Sequence, residues 1–328
     1  MGDMRVAING FGRIGRAFFK LAEQHDDLEV VAINDLGEKE NFAYLLKYDS
    51  VYGTFESKDF DKVEWIQEKD PAKLPWGTLN IDIVVESTGL FTDYEKAKAH
   101  LDAGAKRVVI SAPAKGDASL GATILMGLNE DKLKACAISS NASCTTNAAS
   151  PLIAILDEAI GIEKALLNTT HAYTATQALV DGPSKKGPRE GRAAALNIIP
   201  SSTGAAVAVT KAYESLAGKF DGISLRVPVP AGSIADITFI AKRDTTAEEV
   251  NDILRAAAKE KRWQGIFQAS DEELVSSDIV GNTHAAIAQL DMTRVVGGNL
   301  VKVLSWYDNE MGYAHTLVEH VREAGKSL

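Results

Sequence analysis

The chain has 328 residues, 45% of them hydrophobic and 24% charged, with a formal net charge of −10. That length suits two domains. The acidic balance argues against nucleic acid or an anionic membrane surface as partner, though a small anion can still be held by local donors. No apolar run approaches the ~18 residues of a membrane span. The two cysteines, Cys136 and Cys144, make no disulfide framework, and no metal-ligand spacing is present.

The opening residues, MGDMRVAING, lack the charged-then-apolar layout of a secretory leader, and Val6 stands where a myristoylation signal needs Ser or Thr. A cytoplasmic location is expected. MRVAING (4–10) reads as a strand, GRAFFKLAEQ (15–24) as a helix and LEVVAIND (28–35) as the next strand. Between the first two, Gly10, Gly12 and Gly15 have GxGxxG spacing, and Asp35 closes the second strand about 20 positions on. A strand, this turn, a helix and a distal carboxylate form the context of a dinucleotide site. The glycines allow a tight turn and close backbone approach, and the helix N-terminus faces the pyrophosphate. A carboxylate at Asp35 would accept from ribose hydroxyls and repel a 2′-phosphate, which favours NAD over NADP.

The pattern continues with IDIVVEST (81–88), a helix over 93–103, RVVISAP (107–113) and ATILMG (122–127). These alternating units predict a mostly parallel sheet. A further strand is expected over 135–138 and a helix over 151–160, with NASCTTNAAS (141–150) between them. Ser143, Thr145 and Thr146 can cap the helix, but Cys144 would be a poor cap. A cysteine at a helix N-terminus favours the thiolate, below its usual pKa of ~8.5.

Beyond Cys144 the strands lengthen: KALLNTTHAYT (164–174), ISLRVPVP (223–230), IADITFIAKR (234–243) and NLVKVLSWYD (299–308). Partial alternation predicts a sheet with one wetter face. A helix over 245–262 opens with a capping-box pattern from Thr245 to Glu248, and MGYAHTLVEHVREAG (311–325) is an amphipathic helix. The fold class expected is α/β: a Rossmann-type dinucleotide-binding domain, plus an α+β catalytic domain with a mixed or antiparallel sheet. Residues 1–144 with 308–328 would form the first and 145–307 the second. His171 is a candidate base for Cys144. The run PSSTGAAVAV (200–209) with Arg226 is a candidate anion cradle, although helix capping accounts for that run equally well.

NGFGRIGR, KYDSVYG, ESTGLF, SAPAKG, ASCTTN, HAYTATQ, NIIPSSTGAA, RVPVP and WYDNEMGY follow one another across nearly the whole chain. Together they resemble the phosphorylating glyceraldehyde-3-phosphate dehydrogenase family. The resemblance implies that Cys144 attacks the aldehyde, with His171 as base, and that a thiohemiacetal and then a thioester precede transfer to inorganic phosphate. It implies Thr174, Thr176, Arg192 and Arg226 for the substrate phosphate, and Ser143, Thr145, Thr203 and Gly204 for the attacking phosphate. For NAD it implies Arg13, Ile14, Asp35, Lys69, Ser111 and Asn309 beside the three glycines, and Gly182-Pro183 resembles the NAD-using forms. A homotetramer is the family's usual assembly. Many relatives carry a second cysteine where Ala148 stands, so no internal disulfide forms at that spacing. The erythrose-4-phosphate dehydrogenase branch, which mainly hydrolyses its acyl-enzyme, shares these motifs. A non-catalytic NAD-binding regulatory protein is the alternative from another class.

Overall fold

The computed structural model describes residues 4–328. The chain divides into two compact units, one running to Ser143 and including Ala314–Leu328, the other spanning Cys144–Tyr313.

In the first unit the strands are β1 (Met4–Asn9), β2 (Leu28–Asn34), β3 (Tyr48–Asp49), β4 (Gly53–Thr54), β5 (Glu64–Ile66), β6 (Ile83–Glu86), β7 (Arg107–Ile110), β8 (Gly121–Thr123) and β9 (Ile138–Ser140). β3 and β4 form a separate two-stranded ribbon. The other seven lie in the order β5-β2-β1-β6-β7-β9-β8, and every pairing is parallel. All four residues of β6 and of β7 are buried, as expected of a parallel sheet covered on both faces. Helices α1 (Arg13–Ala22), α2 (Lys39–Lys47) and α3 (Tyr94–Asp102) complete the crossovers. The strand expected over 135–138 is instead a 3₁₀ turn over Glu130–Ala135, with pairing to β7 beginning at Ile138. Short apolar runs do not distinguish the two states. Here Arg107 settles the matter by donating to the carbonyls of Leu133 (2.7 Å) and Cys136 (2.8 Å).

The second unit opens with α4 (Cys144–Ile160). It continues through β10 (Ile162–Ala172), β11 (Ile199–Ser202), α5 (Ala205–Ala212), β12 (Phe220–Val227), β13 (Ser233–Ala241), α6 (Ala247–Ala257), β14 (Phe267–Ser270), β15 (Ala286–Gln289), β16 (Arg294–Val296) and β17 (Leu300–Tyr307). The last helix, α7, spans Met311–Gly325, and from Ala314 on it belongs to the first unit. The sheet runs β11-β12-β10-β13-β17-β15-β14, with β16 also on β17. It is mixed: β10 pairs parallel with β12 and antiparallel with β13. β13 alternates buried and half-buried residues along its whole length, the signature of one core face.

Two helix starts differ from expectation. α4 begins at Cys144 and carries Pro151 inside it. Proline is at home in a first turn, which makes residue 151 look like a start. The missing proline N–H leaves the Asn147 carbonyl without its usual partner, and Ser150 Oγ reaches that oxygen at 3.5 Å. The cap of α6 is Thr246, whose hydroxyl accepts from the Glu249 N–H at 3.1 Å, one residue later than expected. Thr245 instead donates to the Glu249 carboxylate at 2.7 Å.

Candidate active site

Cys144 is half-buried at the first position of α4. The chain reaches it through a strained turn in which Ala142 adopts φ 54°, the left-handed region that costs a residue with a β-carbon roughly 1–2 kcal/mol. Ser140 steadies that turn by accepting the Ala142 N–H at 3.0 Å. His171, the penultimate residue of β10, brings Nε2 to 3.3 Å from the Cys144 Sγ. Arg226 lies directly opposite His171 in the parallel β10–β12 register, which places both side chains on one face. Its Nη1 is 2.7 Å from His171 Nδ1 and 3.1 Å from the Ala172 carbonyl. That same carbonyl is 2.7 Å from Nδ1. The carbonyl only accepts and Arg226 only donates, so Nδ1 donates to the first or accepts from the second, not both. The tautomer with Nδ1–H on the carbonyl leaves the Nε2 lone pair facing the thiol, and Arg226 then bonds the carbonyl alone.

Burial pushes His171 down to about 3, and the Arg226 charge acts in the same direction. Burial pushes the Cys144 thiol up, against the opposing pull of Arg226 and Thr145. The helix-terminus lowering expected from the sequence is therefore outweighed by desolvation. The resting pair is a neutral thiol facing a neutral imidazole.

Thr145, next to the cysteine, lies 2.9 Å from the Tyr307 hydroxyl, and Thr169 lies 2.7 Å from it. The Tyr307 ring also packs edge-on against His171, centroids 5.9 Å apart. Burial pushes the phenol up, so it keeps its proton. Nothing in the sequence singles out Tyr307 or Thr169 as parts of this site. The available clue is spacing, since Thr169 and His171 share a face of β10.

The anion-site candidates divide. Thr176 and Arg226 line one cavity of about 600 Å³ with Lys186, Arg189, Ser201 and Ser202 among its walls. Arg226 Nε is buried without a hydrogen-bond partner, an omission that an anion would repair. Thr174 and Thr176 hydroxyls are 3.0 Å apart. Arg192, in contrast, is exposed and paired with Asp181 at 2.9 Å, outside that cavity. Thr203 accepts the Ala205 N–H at 3.2 Å, and Gly204 is the N-cap of α5. Ser143 is half-buried directly before α4.

In the first unit the glycine turn has the expected close approaches. Gly10 adopts φ 96°, and a β-carbon there would lie 2.6 Å from the Thr88 nitrogen; one on Gly15 would lie 2.3 Å from the Gly10 carbonyl oxygen. Gly12, the N-cap of α1, opens onto free space. Asp35 accepts from the backbone N–H of Phe11 at 2.7 Å and of Gly37 at 3.2 Å. A carboxylate offers about four acceptor positions, so capacity for ribose hydroxyls remains. Arg13 pairs with Asp49 at 3.3 Å over the Tyr52 ring. Ile14 and Ser111 are half-buried and Lys69 is exposed. These residues fit a dinucleotide. Asn309 lies in the second unit, where its amide oxygen accepts from Ser233 at 3.0 Å. Among the described residues no group of His, Cys, Asp and Glu could hold a metal ion, and no helix is long and apolar enough to cross a membrane.

Two family models match the chain. Residues 4–94 match the glyceraldehyde 3-phosphate dehydrogenase NAD binding domain, and residues 143–309 match the C-terminal domain. The chain is 48% identical over 343 residues to glyceraldehyde-3-phosphate dehydrogenase of Mycobacterium avium, and 45% identical over 338 residues to that of Streptomyces coelicolor. Each comparison covers 99% of both proteins. Two units of the expected kinds, matched separately and aligned end to end, establish that the chain belongs to the glyceraldehyde-3-phosphate dehydrogenase family.

Proposed function

We propose that this chain oxidises glyceraldehyde 3-phosphate with NAD and inorganic phosphate to 1,3-bisphosphoglycerate, as a cytoplasmic enzyme of glycolysis and gluconeogenesis. The observation that carries the proposal is the 3.3 Å approach of Cys144 Sγ to His171 Nε2, beside an arginine with an unpartnered buried N–H. His171 takes the thiol proton as sulfur attacks the aldehyde carbon, and returns it to the new alkoxide to give the thiohemiacetal. His171 then removes that hydroxyl proton as the carbon loses hydride, and the thioester forms. NAD, when bound, supplies the hydride acceptor. A phosphate oxygen attacks the thioester carbonyl, the C–S bond breaks, and His171 returns a proton to sulfur. The products are the acyl phosphate and free enzyme.

Thr174, Thr176, Arg192 and Arg226 are proposed to hold the substrate phosphate, Arg192 by exchanging Asp181 for it. Ser143, Thr145, Thr203 and Gly204 are proposed for the attacking phosphate, where the first-turn N–H groups of α4 and α5 support an anion. Gly10, Gly12, Arg13, Ile14, Gly15, Asp35, Lys69, Ser111 and Asn309 would hold NAD. A homotetramer is proposed for the assembly, and exposed Leu166, Ile223 and Leu300 on the second sheet support a covered face.

The test is NAD reduction by the purified chain, with and without phosphate or arsenate, using glyceraldehyde 3-phosphate and erythrose 4-phosphate in parallel. Phosphate-dependent reduction with a higher kcat/KM for the three-carbon aldehyde is expected, and Cys144→Ser should abolish it. Phosphate-independent turnover favouring the four-carbon aldehyde would refute the assignment.

A further inference from the structure

Three strands beneath the glycine turn end in buried polar side chains: Asn9 on β1, Asn34 on β2 and Glu86 on β6. A buried polar group costs stability unless it is hydrogen-bonded, and these groups satisfy one another. Glu86 and the His100 side chain are both fully enclosed. The Trp76 indole N–H donates to His100 Nδ1 at 3.0 Å. An indole only donates, so His100 carries its proton on Nε2 and presents it to Glu86 Oε2 at 3.1 Å. The same oxygen accepts from Asn9 Nδ2 at 2.5 Å. Glu86 Oε1 accepts the Thr88 N–H at 2.8 Å and the Thr88 hydroxyl at 2.5 Å. Four donors therefore converge on one carboxylate, and no uncharged side chain supplies four acceptor positions.

Two of the branches from Glu86, through Thr88 and Asn9, lead to the dinucleotide cradle. Thr88 is the wall against which Gly10 packs, at the 2.6 Å approach of a would-be β-carbon. Asn9 Oδ1 accepts from Asn34 Nδ2 at 2.7 Å. Asn34 then pairs in both directions with the backbone of Glu68, at 2.8 and 2.9 Å. Asn34 directly precedes Asp35, and Glu68 directly precedes Lys69.

We propose that Glu86, oriented by His100, is a positioning residue for the cofactor. It fixes Thr88 against the glycine turn and, through Asn9 and Asn34, sets the ribose-binding carboxylate of Asp35. The proposal rests on the NAD reading above. Core packing alone does not require that two branches of a buried network run to the neighbours of cofactor positions, nor that the hub be a carboxylate.

The test uses the intact chain and reads NAD binding by calorimetry, apart from turnover. Glu86→Gln places an N–H₂ against groups that already donate, and should raise the NAD Kd about 10- to 100-fold. The KM for the aldehyde and the alkylation rate of Cys144 should stay within about threefold of wild type. His100→Leu, which removes both ring contacts, should raise the Kd likewise. His100→Gln can accept from Trp76 and donate to Glu86, and should restore binding. A fall in melting temperature with unchanged NAD affinity in Glu86→Gln and His100→Leu overturns this proposal alone. Absence of NAD binding by the wild type overturns the cofactor reading and this proposal with it.

Discussion

Tyr307 ties the residue after Cys144 to the residue two before His171, its hydroxyl lying 2.9 Å from Thr145 and 2.7 Å from Thr169. The nucleophile heads a helix and the base ends a strand, so their 3.3 Å separation depends on how that helix is seated. Ser305 on the same strand as Tyr307 adds a second tie, donating to the Ala148 carbonyl at 2.9 Å. Together they anchor the first turns of α4 to the sheet.

Tyr307→Phe keeps the ring and removes the hydroxyl. It should cost about 1–3 kcal/mol of stability, since two buried threonine hydroxyls lose a partner. Turnover should fall about tenfold as the nucleophile–base geometry loosens, with NAD affinity unchanged. Urea unfolding and steady-state kinetics check this together. A lower stability with wild-type kcat would show that the phenol only holds the core.

His171→Gln leaves Cys144 beside a side chain that cannot take its proton. General-base assistance contributes ~10²–10⁴-fold, and the acylation rate should fall by that amount. Aldehyde and NAD affinities should change little. A single-turnover measurement of NADH formation reads the step directly, and a rate within tenfold of wild type would exclude His171 as the base.

The pieces legible in the sequence are those whose chemistry is local. Gly10, Gly12 and Gly15 sit in one turn, and Cys144 stands out because its neighbours are hydroxyls and amides. The alternation along β13 and the β-branched runs of β6 and β7 carry the two sheet types. What was not legible depends on contacts across long stretches of chain. Thr145 meets Tyr307 at a separation of 162 residues, and Asn9 meets Glu86 at 77. The lowered thiol pKa expected at a helix N-terminus is reversed by burial, which no short window of sequence encodes. Arg192 matches a phosphate position by motif yet rests on Asp181.

Asp35→Ala should weaken NAD binding about 10- to 100-fold, the scale of losing charged hydrogen bonds, and relax rejection of NADP. The structure adds a second consequence. Asp35 also takes the Phe11 N–H at 2.7 Å, so the glycine turn loses a restraint. Asp35→Asn retains an oxygen for that N–H and should lie between Ala and wild type in NAD affinity. Comparing Kd values for both cofactors across the three proteins checks this, and an unchanged NAD to NADP ratio would exclude Asp35 as the discriminating residue.

His320 makes acid stability a measurable property of the turn before Cys144. It is fully buried, with Nε2 2.8 Å from the Ser139 hydroxyl and Nδ1 3.1 Å from the Asn141 amide oxygen. That oxygen only accepts, so Nδ1 carries the proton and Nε2 accepts from serine. Burial pushes the ring down to about 3 from its ordinary 6.5. As pH falls below 6.5 the unfolded chain therefore takes up a proton that the folded chain refuses until about pH 3. The stabilisation is full above 6.5 and declines through that window, by about 2 kcal/mol between pH 7 and pH 5 for one such group. His171, held down to about 3 as well, should add a similar loss. His320→Gln can keep a donor to Asn141 and an acceptor for Ser139 while removing the titration. Its stability in urea should fall about 2 kcal/mol less than that of the wild type between those two pH values. Equal pH dependence in the two proteins would mean that His320 is protonated in the folded chain, against its burial and both of its partners.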